Sequence, residues 1–170
     1  TPQGRLQRGD PVLLGHDELR RLSDFIVEKK QDGKMRIDPA DNVGYYGKWE
    51  LLYGYRSTQW GRVNFWNGCQ ASCQVLGVDA NGDIKGCLSQ PSIPRFIEGN
   101  IREEPLETIW RKPGAFAYNR EFSLDMLSGT CKRCGYRGLC RAGCVSHAFC
   151  SSGERGTNPD CLHRFELEGE

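Results

Sequence analysis

The segment that decides the fold is residues 131–144, which read CKRCGYRGLCRAGC with the spacing C-x2-C-x5-C-x3-C. Two cysteines separated by two residues can grip one metal ion or one edge of a metal cluster, because a tight turn aims both sulfurs the same way. The glycines between the cysteines let the backbone approach closely and turn N–H groups towards sulfur. The segment predicts a metal site. Zinc held by four thiolates and an oxidised cubane held by four thiolates each carry a net charge of about −2, which the four basic residues of the segment would offset. The charge pattern therefore does not decide between zinc and an iron–sulfur cluster.

Nine cysteines stand out in a chain of 170 residues, and none of them lies in the first 68. An odd number excludes a fully paired monomeric disulfide framework. Two groups of four with one cysteine left over fit metal or cluster sites, which take thiolates in fours. The nine cysteines are Cys69, Cys73, Cys87, Cys131, Cys134, Cys140, Cys144, Cys150 and Cys161.

Charge and hydropathy exclude other classes of protein. Lys and Arg number 23 and Asp and Glu 22, so the net charge of +1 argues against nucleic acid and membrane as partners. No run of about 18 apolar residues and no signal-peptide core occurs, so we expect a cytoplasmic protein. In a reducing cytosol clustered cysteines more often bind metal than form disulfides.

A hairpin is predicted between the upstream cysteines. Apolar and polar residues alternate over 75–79, Asn81-Gly82 is a strong turn signal, and Ile84 leads into Cys87. We expect the hairpin to bring Cys69 and Cys73 near Cys87. These three ligands are one short of a complete site, which suggests two sites with interleaved ligands, as in two-cluster ferredoxins.

The whole pattern, C-x(9–15)-G-x4-C, a gap, C-x2-C-x5-C-x3-C, a gap and a final C, resembles the SPASM domain. That domain is the C-terminal auxiliary-cluster domain of many radical S-adenosylmethionine enzymes. The resemblance covers roughly residues 67–165, and segments 78–84, 99–101 and 106–110 are also similar to the family. The positions that fill the pattern are Cys69, Gly82, Cys87, Cys131, Cys134, Cys140, Cys144 and Cys161.

The resemblance implies two [4Fe–4S] clusters. The first cysteine set would be Cys69, Cys73, Cys87 and Cys144, and the second cysteine set would be Cys131, Cys134, Cys140 and Cys161. Some relatives lack a cysteine at the position of Cys73 and leave an iron open to substrate. Cys150 matches no ligand of the family and is interpreted as a free thiol.

Residues 1–66 resemble the last part of the partial α/β barrel of these enzymes, with a connector rich in aromatic residues over 43–66. The C-x3-C-x2-C motif that binds the S-adenosylmethionine-cleaving cluster is absent. The chain opens with Thr1 rather than methionine, and we expect the C-terminal part of a longer enzyme that is not catalytic alone. Its expected partners are the missing barrel, in the same or another chain, a redox donor, and a peptide or protein substrate. S-adenosylmethionine is expected only in the full-length enzyme.

The predicted fold class is an irregular α+β domain over 67–170, with a small hairpin, short helices and loops wrapped around two clusters. A helix is predicted over 17–31, with Asp17 as N-cap and Asp32-Gly33 at its end, and Leu19, Leu22, Phe25 and Ile26 form its apolar face. A strand over 35–38 is predicted to follow it. A short helix is predicted after Pro105 and a second over 114–122, and turns and short helices are predicted after Cys131.

Two other functions, and a ligand role for two histidines, stay open at this point. A zinc-stabilised binding module would use two four-cysteine sites, and a freestanding ferredoxin-like carrier would only move electrons. His147 and His163 flank cysteines and are candidate ligands or hydrogen-bond donors to ligands, whereas His16 is expected at the surface. No catalytic base can be named from the sequence.

Overall fold

The computed structural model describes residues 6, 9–35, 37, 47–48, 58–59, 62–63 and 67–168. Over these residues the chain combines short helices with small antiparallel sheets, which is the predicted α+β class. The helices are α1 (His16–Gln31), α2 (Leu106–Arg111), α3 (Ala117–Arg120), α4 (Gly129–Arg133), α5 (Arg137–Cys140), α6 (Val145–Ser152) and α7 (Leu162–Glu168), with a 3-10 turn at Leu124–Met126. The strands are β1 (Thr58–Gln59), β2 (Arg62–Val63), β3 (Gly77–Val78), β4 (Asp83–Lys85) and β5 (Gly99–Asn100).

The predicted hairpin is present and forms part of a three-stranded sheet of order β3-β4-β5. Val78 pairs with Ile84, and Ile84 pairs with Gly99 on its other side. Gly82 turns the chain with a φ of +94°, a left-handed conformation that suits glycine. β3 is shorter than the predicted alternation, and the third strand was not predicted, because two residues carry too little periodicity to be recognised.

Helix α1 is confirmed, but its predicted N-cap is wrong. The N-cap is Gly15, whose backbone N–H donates to the Glu18 carboxylate at 2.7 Å, and Asp17 lies in the first turn instead. The carboxylate of Glu18 satisfies the N–H of the N-cap residue, which is one half of a capping box. At the other end Asp32 is the C-cap and Gly33 follows with a φ of +64°, as predicted.

Helix α1 packs against the C-terminal helix α7. Leu19, Ile26 and Val27 of α1 form a buried cluster with Leu162 and Phe165 of α7. Phe25, which the pattern placed on the buried face, is 52% exposed. The contact connects a helix near the start of the chain with a helix near its end. The predicted domain boundary at residue 66 stays a prediction.

Most of the predicted connector over 43–66 lies outside the described residues, as does nearly half of the whole region 1–66. The predicted strand over 35–38 lies partly outside the described residues, because Arg36 and Asp38 are not described. Met35 lies in a bend. The helix predicted over 114–122 is confined to α3, because Phe116 takes a left-handed φ of +58° just before it. Pro105 directly precedes α2, and short helices follow Cys131 as predicted.

A second buried cluster joins the sheet to helices α2 and α3. Ile84 of β4 packs with Ile109 of α2 and with Ala115 and Phe116 before α3. Burying apolar surface of this kind stabilises by about 25 cal/mol per Å². The cluster fixes α3 against the hairpin, and this placement positions the side chains of α3 beside the loop of Cys69 and Cys73.

Candidate metal centre

The second cysteine set lines one cavity. The cavity lies among α4, α5 and the start of α7, and its empty volume, counted out to its open mouth, is about 340 Å³. Short helices separated by tight turns bring the four sulfur-bearing side chains to its wall, although Cys161 is far from the others in sequence. Its lining residues are Cys131, Cys134, Tyr136, Arg137, Cys140, Ala142, Asn158, Cys161 and His163.

Electrostatics confirm that these thiols are close to one another. Burial raises the pKa of Cys140 far above its ordinary value, and negative charge on Cys161, Cys131 and Cys134 raises it further. Burial also raises the pKa of Cys131, although hydrogen bonds with the Asn158 backbone and the Thr157 side chain lower that pKa in part. Such a site favours neutral thiols when it is empty, so a cation that binds there must displace protons.

In the first cysteine set, Cys69 and Cys144 are in direct contact. A hydrogen bond with the Cys144 thiol lowers the pKa of Cys69 to about 6, although burial acts in the opposite direction. Backbone N–H groups of Val145 and Ala71 and the charge of Arg155 lower this pKa further. These contacts therefore favour the thiolate form of Cys69, which is the form that binds metal.

Cys73 and Cys87 are joined to this pair through their surroundings. Asn119 Nδ2 donates to Cys73 Sγ at 3.6 Å. The Ser72 N–H donates to the Gly86 carbonyl at 3.2 Å, which sets the residues before Cys73 and Cys87 side by side. The hairpin therefore places the backbone next to Cys87 beside the backbone next to Cys73.

Asn119 organises the loop of the first set and was not predicted. Its side chain is 2% exposed, and Nδ2 donates to the carbonyls of Cys69 at 2.9 Å and Ala71 at 2.6 Å as well as to Cys73 Sγ. Arg120 adds a bond from Nε to the Ser72 carbonyl at 2.8 Å. No sequence signal marks these residues, because α3 is one turn long and the loop lies 48 residues upstream.

Arg155 lies beside both cysteine sets. It is 7% exposed, its Nη2 donates to Asn119 Oδ1 at 2.5 Å, and its guanidinium carbon lies 4.4 Å from the centre of the Phe122 ring. Burial lowers the pKa of Arg155 to about 10, and negative charge on Cys69, Cys73 and Cys140 opposes that shift. The sequence gives no hint of this residue, because it sits in a short turn without periodicity.

The three histidines have different surroundings. His147 is fully buried, with Nε2 at 3.1 Å from Asn158 Oδ1 and 3.2 Å from Asp160 Oδ2. It therefore holds the turn before Cys161 rather than facing a ligand site. His163 lines the cavity of the second set. His16 is half-exposed and stacks on Phe165 at 4.0 Å.

The described residues contain no three His, Cys, Asp or Glu side chains grouped closely enough to hold a single metal ion. Tetrahedral zinc, with Zn–S distances of about 2.3 Å, draws its sulfurs to within about 3.8 Å of one another. The second set lines a shared space. Cys150, in α6, does not line this cavity.

Comparison with protein-family models finds SPASM, an iron–sulfur cluster-binding domain, over residues 69–135. This match confirms the resemblance to the SPASM domain of radical S-adenosylmethionine enzymes that the cysteine spacing indicates. The matched segment contains Cys69, Cys73, Cys87, Cys131 and Cys134. The domain therefore binds iron–sulfur clusters.

Two curated proteins are similar over nearly the whole chain. An AdoMet-dependent heme synthase of Methanosarcina barkeri (strain Fusaro / DSM 804) is 31% identical over 96% of this chain and 46% of its own length. A PqqA peptide cyclase of Rhizobium meliloti (strain 1021) is 30% identical over 98% of this chain and 42% of its own length. The chain thus spans somewhat less than half the length of these relatives.

A solved structure of native anSMEcpe with bound AdoMet has a similar fold. The TM-score is 0.57 at 19% sequence identity, over 99% of this chain and 44% of that one. The match extends the likeness of fold beyond the SPASM segment. Within the described residues, no helix is long and apolar enough to cross a membrane.

Proposed function

We propose that the domain binds two [4Fe–4S] clusters and serves as the auxiliary-cluster part of a radical S-adenosylmethionine enzyme. The first cysteine set, Cys69, Cys73, Cys87 and Cys144, holds one cluster. The second cysteine set, Cys131, Cys134, Cys140 and Cys161, holds the other. These sets interleave along the chain, since Cys144 closes the first after three ligands of the second have passed.

The observation that carries the proposal is the cavity shared by all four cysteines of the second set. Sequence spacing alone pairs only neighbours such as Cys131 and Cys134. The cavity adds Cys161, which lies 21 residues beyond Cys140 along the chain. Because a cluster needs several thiolates around one enclosed space, this convergence supports an iron–sulfur site more strongly than any single motif.

The chain contributes hydrogen bonds and charge around the sulfurs. The N–H of Tyr136 donates to Cys134 Sγ at 3.4 Å, and the N–H groups of Ala71 and Val145 point at Cys69. Donors of this kind stabilise negative charge on sulfur and tune the reduction potential. When bound, such clusters accept and release single electrons.

The proposed task is to carry electrons to or from the substrate, or to engage it, during modification of a peptide or protein. The peptide assignment is supported by the name of the Rhizobium relative, a PqqA peptide cyclase. The proposed partners are a radical S-adenosylmethionine barrel, in the same or another chain, a redox donor and the peptide. A reducing cytosol is the proposed compartment, because it keeps nine thiols available for metal.

The test is metal analysis of protein purified and reconstituted without oxygen. We expect a brown protein with about eight irons and eight sulfides per chain. Cys144→Ser and Cys161→Ser should each remove about four irons, and their Mössbauer or EPR spectra should each retain a different cluster. Two zinc ions per chain in place of iron, with no sulfide, would instead establish the zinc-binding module.

Cys150→Ser is the matched control, since it removes a half-buried thiol from the same chain without touching either set. It should keep the full iron content. Loss of iron from Cys150→Ser equal to that from Cys161→Ser would show that the ligand assignment is wrong.

A further inference from the structure

We propose that Arg155 is an internal counter-cation shared by the two clusters, donating hydrogen bonds to their sulfurs and raising the potential at which they accept an electron. The inference rests on the proposed function, because it needs clusters in both cysteine sets. It assigns a role to a residue outside every cysteine motif of the chain.

The burial of Arg155 is the first argument. A guanidinium that is 7% exposed has lost most of its water, and such a group needs partners for its N–H groups. Only Nη2 has a described partner, Asn119. Nε and Nη1 are buried and find no hydrogen-bond acceptor among the residues that the structure describes. Two donors remain for a group that the protein itself does not supply.

The position of Arg155 is the second argument. Through Asn119 it is linked to the loop of Cys69 and Cys73, because the same amide donates to the backbone and sulfur of that loop. Its charge also acts on Cys140, which belongs to the second set. The Phe122 ring covers one face of the guanidinium at 4.4 Å and fixes its plane. Arg155 thus lies beside the loop of the first set with two buried donors, Nε and Nη1, that have no acceptor among the described residues.

The exposed cations of the 131–144 segment are the alternative source of compensating charge. Lys132, Arg133, Arg137 and Arg141 are all exposed, so water and salt screen them. Arg155 acts through a less polar interior, where the same charge has a larger effect. Arg155 is therefore the main counter-cation of the clusters, and the four exposed residues compensate less of the cluster charge.

The electron balance is simple. One electron arrives from an external low-potential donor, the cluster charge becomes more negative by one, and no bond forms or breaks. A nearby fixed positive charge stabilises the reduced form more than the oxidised form, because the reduced form carries the larger negative charge. Removal of that charge must lower the reduction potential.

The experiment compares Arg155→Gln, Arg155→Lys and wild type by EPR-monitored redox titration after iron analysis. Arg155→Gln should reduce the equilibrium constant for electron uptake at one or both clusters about tenfold, a shift of about −59 mV for one electron. Arg155→Lys keeps the charge and should shift the potential less. The matched control is Arg95→Gln, which removes an exposed arginine that also stacks on a phenylalanine, at 5.2 Å from the centre of the Phe149 ring.

Each result has a defined meaning. Wild type without iron overturns the proposed function together with this inference. Wild type and Arg155→Gln that both hold full iron and share the same potentials overturn this inference alone, as does a shift no larger than that of Arg95→Gln.

A second measurement needs no substitution at Arg155, in case Arg155→Gln loses its clusters. Protein grown with arginine labelled with nitrogen-15 in the guanidinium alone is reduced and studied by pulsed EPR. We expect a resolved nitrogen-15 coupling that persists when Arg133, Arg137 and Arg141 are together replaced by lysine. Absence of the coupling, or its loss in that triple variant, overturns the inference.

Discussion

The loop that carries Cys69 and the helix that carries Cys140 give their thiols opposite acidities. Hydrogen bonds with Cys144 and backbone N–H groups lower the pKa of Cys69 to about 6. Burial and neighbouring thiols raise the pKa of Cys140. Both cysteines are half-buried, so burial alone does not explain the difference. The acidity of a thiol in this domain depends on whether hydrogen-bond donors or other sulfurs surround it.

The two cysteine sets also differ in how they are held. The first is assembled by side chains from a distant helix, above all Asn119, acting on a loop 48 residues upstream. The second lies on or beside α4 and α5 and just before α7, and it depends on His147 to place its last member. Each set should therefore have its own point of failure, and the predictions below test that independence.

The largest effect is expected for Asn119→Ala. The substitution leaves the Cys69 carbonyl and the buried Arg155 without their Asn119 partner, at about 1–3 kcal/mol for each unsatisfied group, and removes one of two donors to the Ala71 carbonyl. The free energy of unfolding should fall by about 3–4 kcal/mol, and iron should be lost from the first set before the second. Urea unfolding and iron analysis of the two clusters by EPR measure both effects.

Asn67→Ala is the control for that prediction. Asn67 is exposed and accepts one hydrogen bond from Gln70, so its removal should change stability by less than about 0.5 kcal/mol. Equal loss of iron from both sets in Asn119→Ala would contradict the independence of the two sites.

The second effect is expected for His147→Leu. It removes the fully buried imidazole that contacts Asn158 and Asp160, and so releases the turn before Cys161. The free energy of unfolding should fall by about 2–3 kcal/mol, and the second set should lose iron selectively. His16→Leu is the matched control, because His16 also approaches Asp160, at 3.5 Å, but from the surface. Retention of both clusters in His147→Leu would show that Cys161 is held by other contacts.

A smaller effect is expected for Gly82→Ala in the hairpin that leads to Cys87. An added Cβ would lie 2.6 Å from Asn100 Oδ1 at a φ of +94°, so both strain and a close contact oppose it. Gly114→Ala carries the strain of a φ of +75° with nothing within 4 Å of the new atom. Thermal unfolding should show a loss of about 2 kcal/mol for Gly82→Ala and about 1 kcal/mol for Gly114→Ala. Equal losses would show that the contact with Asn100 relaxes freely.

A further effect concerns pH in the metal-free protein. The pKa of Cys69 falls from 9.0 to about 6 in the folded state, so its stabilising contribution is complete above about pH 9 and is lost as the pH falls towards 6. The pKa of Cys140 is raised, so its contribution is complete below its ordinary value of 9.0 and is lost above it.

Urea midpoints between pH 6 and 10 measure these contributions. The stability difference between wild type and Cys69→Ser should grow between pH 6 and 9, and that for Cys140→Ser should shrink above pH 9. A difference for Cys69→Ser that stays constant from pH 6 to 9 would contradict the acidity of Cys69.

The sequence predicted those parts of the fold that depend on local signals. Asn81-Gly82 places the hairpin, Gly33 ends α1, and the spacing of cysteines from Cys69 to Cys161 indicates the SPASM domain, which the family match over 69–135 confirms. The N-cap at Gly15 and the exposed Phe25 were missed, because the N-cap uses a carboxylate three residues away and the buried face depends on where α7 lies.

What the sequence indicated by itself is the cysteine pattern of the SPASM domain, since spacing and residue type carry that pattern, and the assignment of ligands from it stays a prediction. Only the tertiary structure decided the surroundings of those sulfurs. Asn119, His147 and Arg155 act on cysteines through contacts that bring together distant parts of the chain. Hydrogen bonds, burial and charge in a folded interior depend on distance in space, and no pattern along the chain encodes those distances directly.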